Sequence, residues 1–457
     1  MSAAAPRDAE EVAVVSALTH EGEGVVRGGK TVFVAGALPR ERIRLRRTRR
    51  HRQHDDGELL EVLERSPERV APRCAHFGVC GGCVLQHLAP PAQLAAKEAE
   101  LKDTLERVAR VTPRRWLSPL AGPVWAYRRR ARLGAKFVYR KERVVVGFRE
   151  RAAPYVADLT GCEVLAAPAG ALIAPLGALL TRLSIREHVP QIEVAVADNA
   201  TALVLRVLAE PAGADLELLE EFAASHGVRL YLQRAGLDSV RALGHGAEPL
   251  HYGLRPFGLE IEFSPTDFIQ VNGPVNEALV ARAAELLELT PAASVLDLYC
   301  GLGNFTLALA RRAATAVGVE GEARLIERAR GNAARNKVAN VEFHQADLSA
   351  APEPNLGWLR RQYTHVLLDP PRTGARAVLP ALARLTPARL LYISCHPGSL
   401  ARDLMELVHE HGFTLEAAGV VDMFAHTSHV ESLALLTCPA KRQPPKALRP
   451  PAAAGLT

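Results

Sequence analysis

The sequence predicts a multidomain protein: a small β-barrel at the N-terminus, a central α+β region, and a C-terminal doubly wound, Rossmann-like α/β domain. Three observations carry that expectation. The chain has 457 residues, more than one hydrophobic core usually organises. Short stretches of period-two alternation, separated by glycines, fill its first part. From Val275 onward strand-like apolar runs alternate with helical ones, as a mainly parallel sheet requires.

The barrel is expected over residues 8–66. Lys30-Thr31-Val32-Phe33-Val34 and Arg42-Ile43-Arg44-Leu45-Arg46 alternate, with turns at Gly22, Gly24, Gly28 and Gly29. Arg40, Arg42, Arg44, Arg46, Arg47, Arg49, Arg50 and Arg52 give one face a dense positive charge, and Arg128, Arg129, Arg130 and Arg132 form a second run. Net charge is only +6, so the distribution matters more than the total. Edge protection needs fewer charges than the first run carries, which points to contact with nucleic-acid phosphates over a merely solvated edge strand.

The central region, 67–262, opens with a cysteine-rich loop. Gln93 to Val111 follows as an amphipathic helix with Leu94, Leu101, Leu105 and Val108 on one stripe, stopped by Thr112-Pro113. Val144–Val146 and Ile192–Val196 read as strands, without a catalytic signature. In 263–438 a helix is expected from Val275 to Leu289. Strands follow at Val295–Tyr299, Ala316–Glu320, Val341–Phe343, Val366–Asp369 and Leu390–Cys395, with a closing pair near Val420 and Leu433. The proline-rich stretch 439–457 has no core-forming pattern and is expected to be disordered.

Met1 to Val15 contains Asp8, Glu10 and Glu11 and lacks the basic start and apolar core of a signal peptide. No run reaches the roughly 18 apolar residues of a membrane span. A cytoplasmic protein with no membrane partner is expected. Seven cysteines then suggest thiol chemistry or metal ligation over disulfides.

Val295-Leu296-Asp297-Leu298-Tyr299-Cys300-Gly301-Leu302-Gly303-Asn304-Phe305 reads as strand, glycine turn and helix start, a cradle for a nucleotide-like cofactor. The third glycine of a dinucleotide site is missing, which favours S-adenosyl-L-methionine, a cofactor without a pyrophosphate. Glu320, ending the next strand, is placed for ribose hydroxyls, and Asp347, after the third, for an adenine amino group. Helix capping is the plainer use of such acids. Asp369-Pro370-Pro371-Arg372 follows the fourth strand; amino-methylating enzymes often carry an aromatic residue where Arg372 stands, which argues against that chemistry.

Cys395 ends the fifth strand, in Ser394-Cys395-His396-Pro397. Carbon 5 of uracil becomes nucleophilic enough to accept a methyl group once a thiolate has added to carbon 6, so Cys395 is the candidate nucleophile. Glu431 is the candidate base for the carbon 5 proton. A buried inert thiol and a structural ion pair are the alternatives. His396, His426 and His429 are weaker candidates for a metal site than Cys74-x5-Cys80-x2-Cys83 with Cys162, whose spacing suits zinc or an iron–sulfur cluster equally.

Together these residues resemble the bacterial RNA uracil-5-methyltransferase family, and most closely its iron–sulfur members that modify 23S ribosomal RNA. The resemblance covers nearly the whole chain, from an arginine-rich barrel similar to a TRAM, OB-like domain, through Cys-Ala-His-Phe-Gly-Val-Cys-Gly-Gly-Cys at 74–83, to Glu431. It implies a 4Fe-4S cluster on Cys74, Cys80, Cys83 and Cys162, and a central iron–sulfur domain. In Asp267-Phe268-Ile269-Gln270-Val271-Asn272 it implies that Gln270 contacts S-adenosyl-L-methionine, with Tyr299, Asn304, Glu320, Asp347 and Asp369 at the other cofactor positions. It also implies Cys395 as nucleophile and Glu431 as base, and a monomer acting on 23S ribosomal RNA and not on DNA. Tyr299, Asp347 and His396 depart from residues seen in other members. A transfer-RNA uracil methyltransferase, a non-catalytic RNA-binding factor and a cytosine-5 methyltransferase are the competing readings. The first typically lacks the barrel and the cluster cysteines, intact Cys395 and Glu431 argue against the second, and the strand-four loop lacks the cysteine of the third.

Overall fold

Five strands close the N-terminal barrel in a computed structural model that describes residues 10–244 and 248–438. They are β1 (Glu10–Leu18), β2 (Glu23–Val26), β3 (Thr31–Ala35), β4 (Arg42–Arg50) and β5 (His54–Glu64), in the order β1-β2-β3-β5-β4. Alternation turns Val15, Val32, Val34, Ile43 and Leu45 into a small core. The arginines of β4 point outward, where the register sets them beside acids of β1 and β5. Arg42 pairs with Glu64, Arg44 with Glu61, Arg46 with Glu10 and Glu58, and Arg47 with Glu11 and Asp55. Much of the expected basic wall is therefore neutralised within the barrel.

After the cysteine loop comes α1 (Pro90–Thr104), prolonged by a wider π-helical turn at Leu105–Ala109 that ends where Arg110 turns left-handed and its N–H reaches the Leu105 carbonyl. The wider turn shifts the helix face. Leu101 and Leu105 are buried as expected, whereas Val108 is 50% exposed and Ala109 takes the inward place. A two-residue strand, β6 (Arg115–Trp116), then joins the edge of the C-terminal sheet. Residues 90–116, counted with the central region from sequence, thus pack on the C-terminal domain, with Leu101, Leu105 and Ala109 in one core with Leu296, Tyr392 and Leu404.

The central sheet contains β7 (Arg130–Val138), β8 (Arg143–Gly147), β9 (Gln191–Val196), β10 (Thr201–Arg206), β11 (Val228–Gln233) and β12 (Val240–Ala242), in the order β12-β11-β10-β9-β7-β8. Helices α2 (Ile173–Arg182) and α3 (Gly213–His226) accompany it. The second arginine run is largely structural: Arg130 and Arg132 share Glu193, and Arg129 pairs with Asp198. A hairpin, β13 (Leu250–Leu254) and β14 (Leu259–Phe263), leads into the last domain.

There α4 (Gly273–Leu287), β15 (Ser294–Leu298), α5 (Thr306–Ala310), β16 (Thr315–Glu320), α6 (Ala323–Arg335), β17 (Val341–Gln345), β18 (His365–Leu368), α7 (Leu379–Leu385), β19 (Arg389–Ser394), α8 (Pro397–Met405), β20 (Thr414–Val421) and β21 (Glu431–Thr437) follow. The sheet order is β17-β16-β15-β18-β19-β21-β20-β6. Strands β15 to β19 are parallel and β21 is antiparallel between β19 and β20. Every strand expected here is present to within a few residues. The expectation for 439–457 lies outside the described residues, and no described helix is long and apolar enough to cross a membrane.

Candidate active site

A parallel sheet gathers the ends of its strands at one edge, and the expected site residues follow those ends. Tyr299, with φ +65°, Gly301 and Gly303 carry the chain away from β15 through left-handed turns. Glu320 ends β16, and its carboxylate accepts N–H bonds from Gly301 (3.2 Å), Gly321 (2.7 Å) and Glu322 (3.2 Å). Asp347, exposed beyond β17, accepts from the amide (2.8 Å) and hydroxyl (2.6 Å) of Ser349, bonds that hold its carboxyl below the usual range. The Tyr299 hydroxyl donates to the Leu348 carbonyl at 3.1 Å, tying the first and third loops together. Asn304 exchanges amide bonds of 3.0 Å with Asn276 and accepts from the Tyr252 hydroxyl at 2.9 Å. Gln270 lies 3.5 Å from Asp369 Oδ2. Five of the six expected cofactor residues therefore end or follow the parallel strands β15 to β18, and Gln270, from the segment before α4, reaches one of them, Asp369.

Asp297, named from the sequence only as part of its strand, has a part in the site that no local pattern marks. It is fully buried beneath this edge; Oδ2 accepts from Thr306 Oγ1 at 2.5 Å, while Oδ1 has no partner among the described residues. Burial first, then the nearby Asp369 and Glu320, pushes its carboxyl up to about 7. Burial also raises Asp369, and burial with Asp369 raises Glu431. Confined acids this close to one another favour a cation beside them.

Cys395 follows β19 directly, and Glu431 opens β21, whose next residue, Ser432, pairs with Ser394. The two candidates thus sit on neighbouring strands. Burial, Glu431 and Asp369 push the Cys395 thiol up to about 11, and Arg372 opposes the shift. His396 caps α8: its Nδ1 accepts the Ser399 N–H at 3.1 Å, which leaves the proton on Nε2.

Cys395, His396 and Arg372 line one wall of a cleft with about 3150 Å³ of open space. Its other walls are the β1–β2 turn of the barrel with Arg27, the glycines Gly81 and Gly82 of the cysteine loop, and Arg107, Arg128 and Arg151. Arg27 and Arg372 make no ion pair among the described residues. The arginines that share a cleft with Cys395 include Arg128 of the second run, and none belongs to β4.

Cys74, Cys80, Cys83 and Cys162 line a second cavity with Phe148, Leu159 and Arg128. Burial raises the thiols of Cys80, Cys83 and Cys162, Cys83 to about 12, and neighbouring cysteines add to the rise. No three of their sulfurs lie within 4.8 Å of one another. Among the described residues the tightest set of metal-capable side chains is instead His51, His54 and Asp56 on the barrel surface. His396, His426 and His429 do not assemble into such a set.

A 23S rRNA (uracil(1939)-C(5))-methyltransferase RlmD of Alkalilimnicola ehrlichii is 49% identical over 94% of this chain and 97% of its own length. Proteins of the same name from Nitrosococcus oceani and Stenotrophomonas maltophilia are 48% and 46% identical over 93% and 92% of this chain, and 95% of their own lengths. The chain belongs to the RlmD family of 23S rRNA (uracil-C5)-methyltransferases. Residues 258–438 also match the family model described as tRNA (Uracil-5-)-methyltransferase. In fold, this family member is similar to the Pyrococcus abyssi tRNA (uracil-54, C5)-methyltransferase solved with S-adenosyl-L-homocysteine: TM-score 0.72, 22% identity, covering 93% of this chain and 100% of that one. The shared fold includes the parallel sheet on whose edge the site lies, and the resemblance read from Cys74–Cys83, Cys395 and Glu431 leads to the same family.

Proposed function

We propose that the protein transfers a methyl group from S-adenosyl-L-methionine to carbon 5 of a uridine in 23S ribosomal RNA, the one corresponding to the uridine 1939 of its relatives' names. The observation that carries this reading is the placement of Cys395 and Glu431 beside the paired Ser394 and Ser432 of neighbouring strands, next to the acid-rich edge of the sheet, with Cys395 open to a large cleft. Gln270, Tyr299, Asn304, Glu320, Asp347 and Asp369 are assigned to the cofactor. The buried carboxyls complement its sulfonium charge, and that cation in turn favours their ionised forms.

In the reaction proposed, the target base is unstacked into the cleft at a cost of a few kcal/mol. The Cys395 thiolate adds to carbon 6, forming a C–S bond and an enolate. Carbon 5 attacks the methyl group, whose bond to sulfur breaks, leaving neutral S-adenosyl-L-homocysteine. Glu431 then takes the carbon 5 proton, the C–H electron pair becomes the C5=C6 double bond, and the C6–S electrons return to Cys395. A base with a raised proton affinity suits that removal.

The four cysteines are assigned to a 4Fe-4S cluster. The reading is supported by the four cysteines lining one cavity and by the resemblance of Cys74–Cys83 to the iron–sulfur members of the family. When bound, the cluster would clip the cysteine loop to the central domain that carries Cys162. The barrel is assigned as an RNA-binding, TRAM-like module. The domains proposed are 8–66, 67–262 and 263–438, with residues 90–116 mounted on the last.

Two variants test the assignment on ribosomal RNA fragments. Cys395→Ala is expected to lose turnover by more than ~10³-fold while RNA affinity stays within about twofold; substantial methylation by it would remove the nucleophile assignment. Glu431→Gln is expected to accumulate a covalent protein–RNA adduct, seen as a slowly migrating band, and its absence would move the base role elsewhere.

A further inference from the structure

The segment 422–430, which leads from β20 to Glu431, is held by residues far away in the chain. Helix α1 buries Gln93, Lys97 and Leu101 along one stripe. Two of those three inward positions are therefore polar, an arrangement that disfavours folding unless every group is satisfied. They are satisfied by the segment. Lys97 Nζ reaches Asp422 Oδ1 at 2.7 Å and the Phe424 carbonyl at 2.9 Å. Gln93 Oε1 accepts the His426 N–H at 2.9 Å, while Nε2 donates to the Leu85 and Leu88 carbonyls at 3.0 and 2.7 Å and faces His426 Nδ1 at 3.1 Å.

His426 is the node of this bracket. It is buried, with φ +64°, a conformation that costs a residue other than glycine energy and persists only where its surroundings impose it. Its carbonyl accepts the N–H groups of Val84 and Leu85, the two residues after Cys83, at 2.9 and 3.1 Å. The Trp125 ring lies 3.9 Å from its own, and the Tyr127 hydroxyl donates to the Ala425 carbonyl at 3.0 Å. The segment is thus fixed from α1, the cysteine loop and the start of the central domain at once.

We propose that Gln93 and Lys97 are positioning residues for proton removal: they hold segment 422–430 so that Glu431 meets the carbon 5 proton of the methylated adduct. This rests on Glu431 as the base. The hydrogen bonds of both residues go to segment 422–430 and to Leu85 and Leu88, not to the nucleophile strand β19, so addition by Cys395 and methyl transfer proceed when the bracket is loosened, and release of the adduct slows.

The test is a quenched time course of RNA with S-adenosyl-L-methionine on the full-length protein, comparing wild type, Gln93→Ala, the double variant Lys97→Met/Asp422→Leu, and Glu431→Gln. The double variant removes both charges together and so avoids stranding one of them. The expected result is a covalent adduct living at least fivefold longer in Gln93→Ala and the double variant than in wild type, with RNA affinity within twofold. Slower turnover without adduct accumulation in both variants, or turnover and adduct lifetime equal to wild type, would overturn the proposal while Glu431→Gln still traps. Failure of Glu431→Gln to trap would remove the base assignment and the proposal with it.

Discussion

Cys395 and Glu431 are both held in their protonated forms by their surroundings, and that sets the direction of the pH response. The thiol stands near 11 and the carboxyl above its ordinary value, so the reactive fraction of each grows as pH rises. The single-turnover rate is expected to climb from pH 6 to 9 with no acidic optimum; a rate falling over that range would contradict the assignment. Asp297 gives a stability counterpart. Its folded value, about 7, lies above the ordinary 3.8, so the fold binds its proton more tightly than the unfolded chain does. Its contribution is fully present below about pH 4 and is lost as pH rises through 7, each pH unit of elevation being worth about 1.4 kcal/mol. Asp297→Asn is therefore expected to raise the melting temperature of the ligand-free protein at pH 8 more than at pH 5, and to weaken S-adenosyl-L-methionine binding. Calorimetry at the two pH values checks both.

At the scale of elements, the barrel and the cleft divide the arginines into two kinds. Arg42, Arg44 and Arg46 of β4 are already paired with exposed acids, contacts worth at most about 1 kcal/mol each, whereas Arg27 and Arg372 line the cleft without partners among the described residues. Arg27→Ala and Arg372→Ala are expected each to lower the slope of log affinity against log salt by about 1, and Arg44→Ala to leave it nearly unchanged. Titrations at several salt concentrations read this directly. The same contrast marks how far the sequence could be read. Counting arginines revealed the charge of β4, but only the strand register revealed that Glu10, Glu58, Glu61 and Glu64 answer it. The parallel strands were legible because β-branched and leucine runs of fixed length mark buried strands. The π-helical turn that exposes Val108 and the two-residue β6 leave no periodic trace, and the Gln93–His426 and Lys97–Asp422 contacts join parts of the chain that no local pattern relates.

Across the whole molecule, the N-terminal half lines a cleft with Cys395, while the groups proposed as catalytic, Cys395 and Glu431, both lie in the C-terminal half. The barrel turn and cysteine loop wall the cleft, and α1 and β6 extend the catalytic core. The positions proposed for the cofactor and the nucleophile were legible because Glu320 ends a strand and Asp347, Asp369 and Cys395 follow strand ends, and the proposed base was legible because Glu431 opens one; the cleft was not, since its walls come from separate domains. Protein prepared without oxygen is expected to carry about four irons and four sulfides per chain, and Cys162→Ala to lose them; zinc alone at one per chain would contradict the cluster. The central claim is methylation of 23S ribosomal RNA through Cys395. It is tested most directly by mass mapping of 5-methyluridine in RNA from cells lacking the gene, complemented with wild type or with Cys395→Ala. The account predicts loss of a methyl group at the uridine corresponding to position 1939, restored by wild type alone. Persistence of that methyl group without the gene, its restoration by Cys395→Ala, or loss confined to transfer RNA would contradict it.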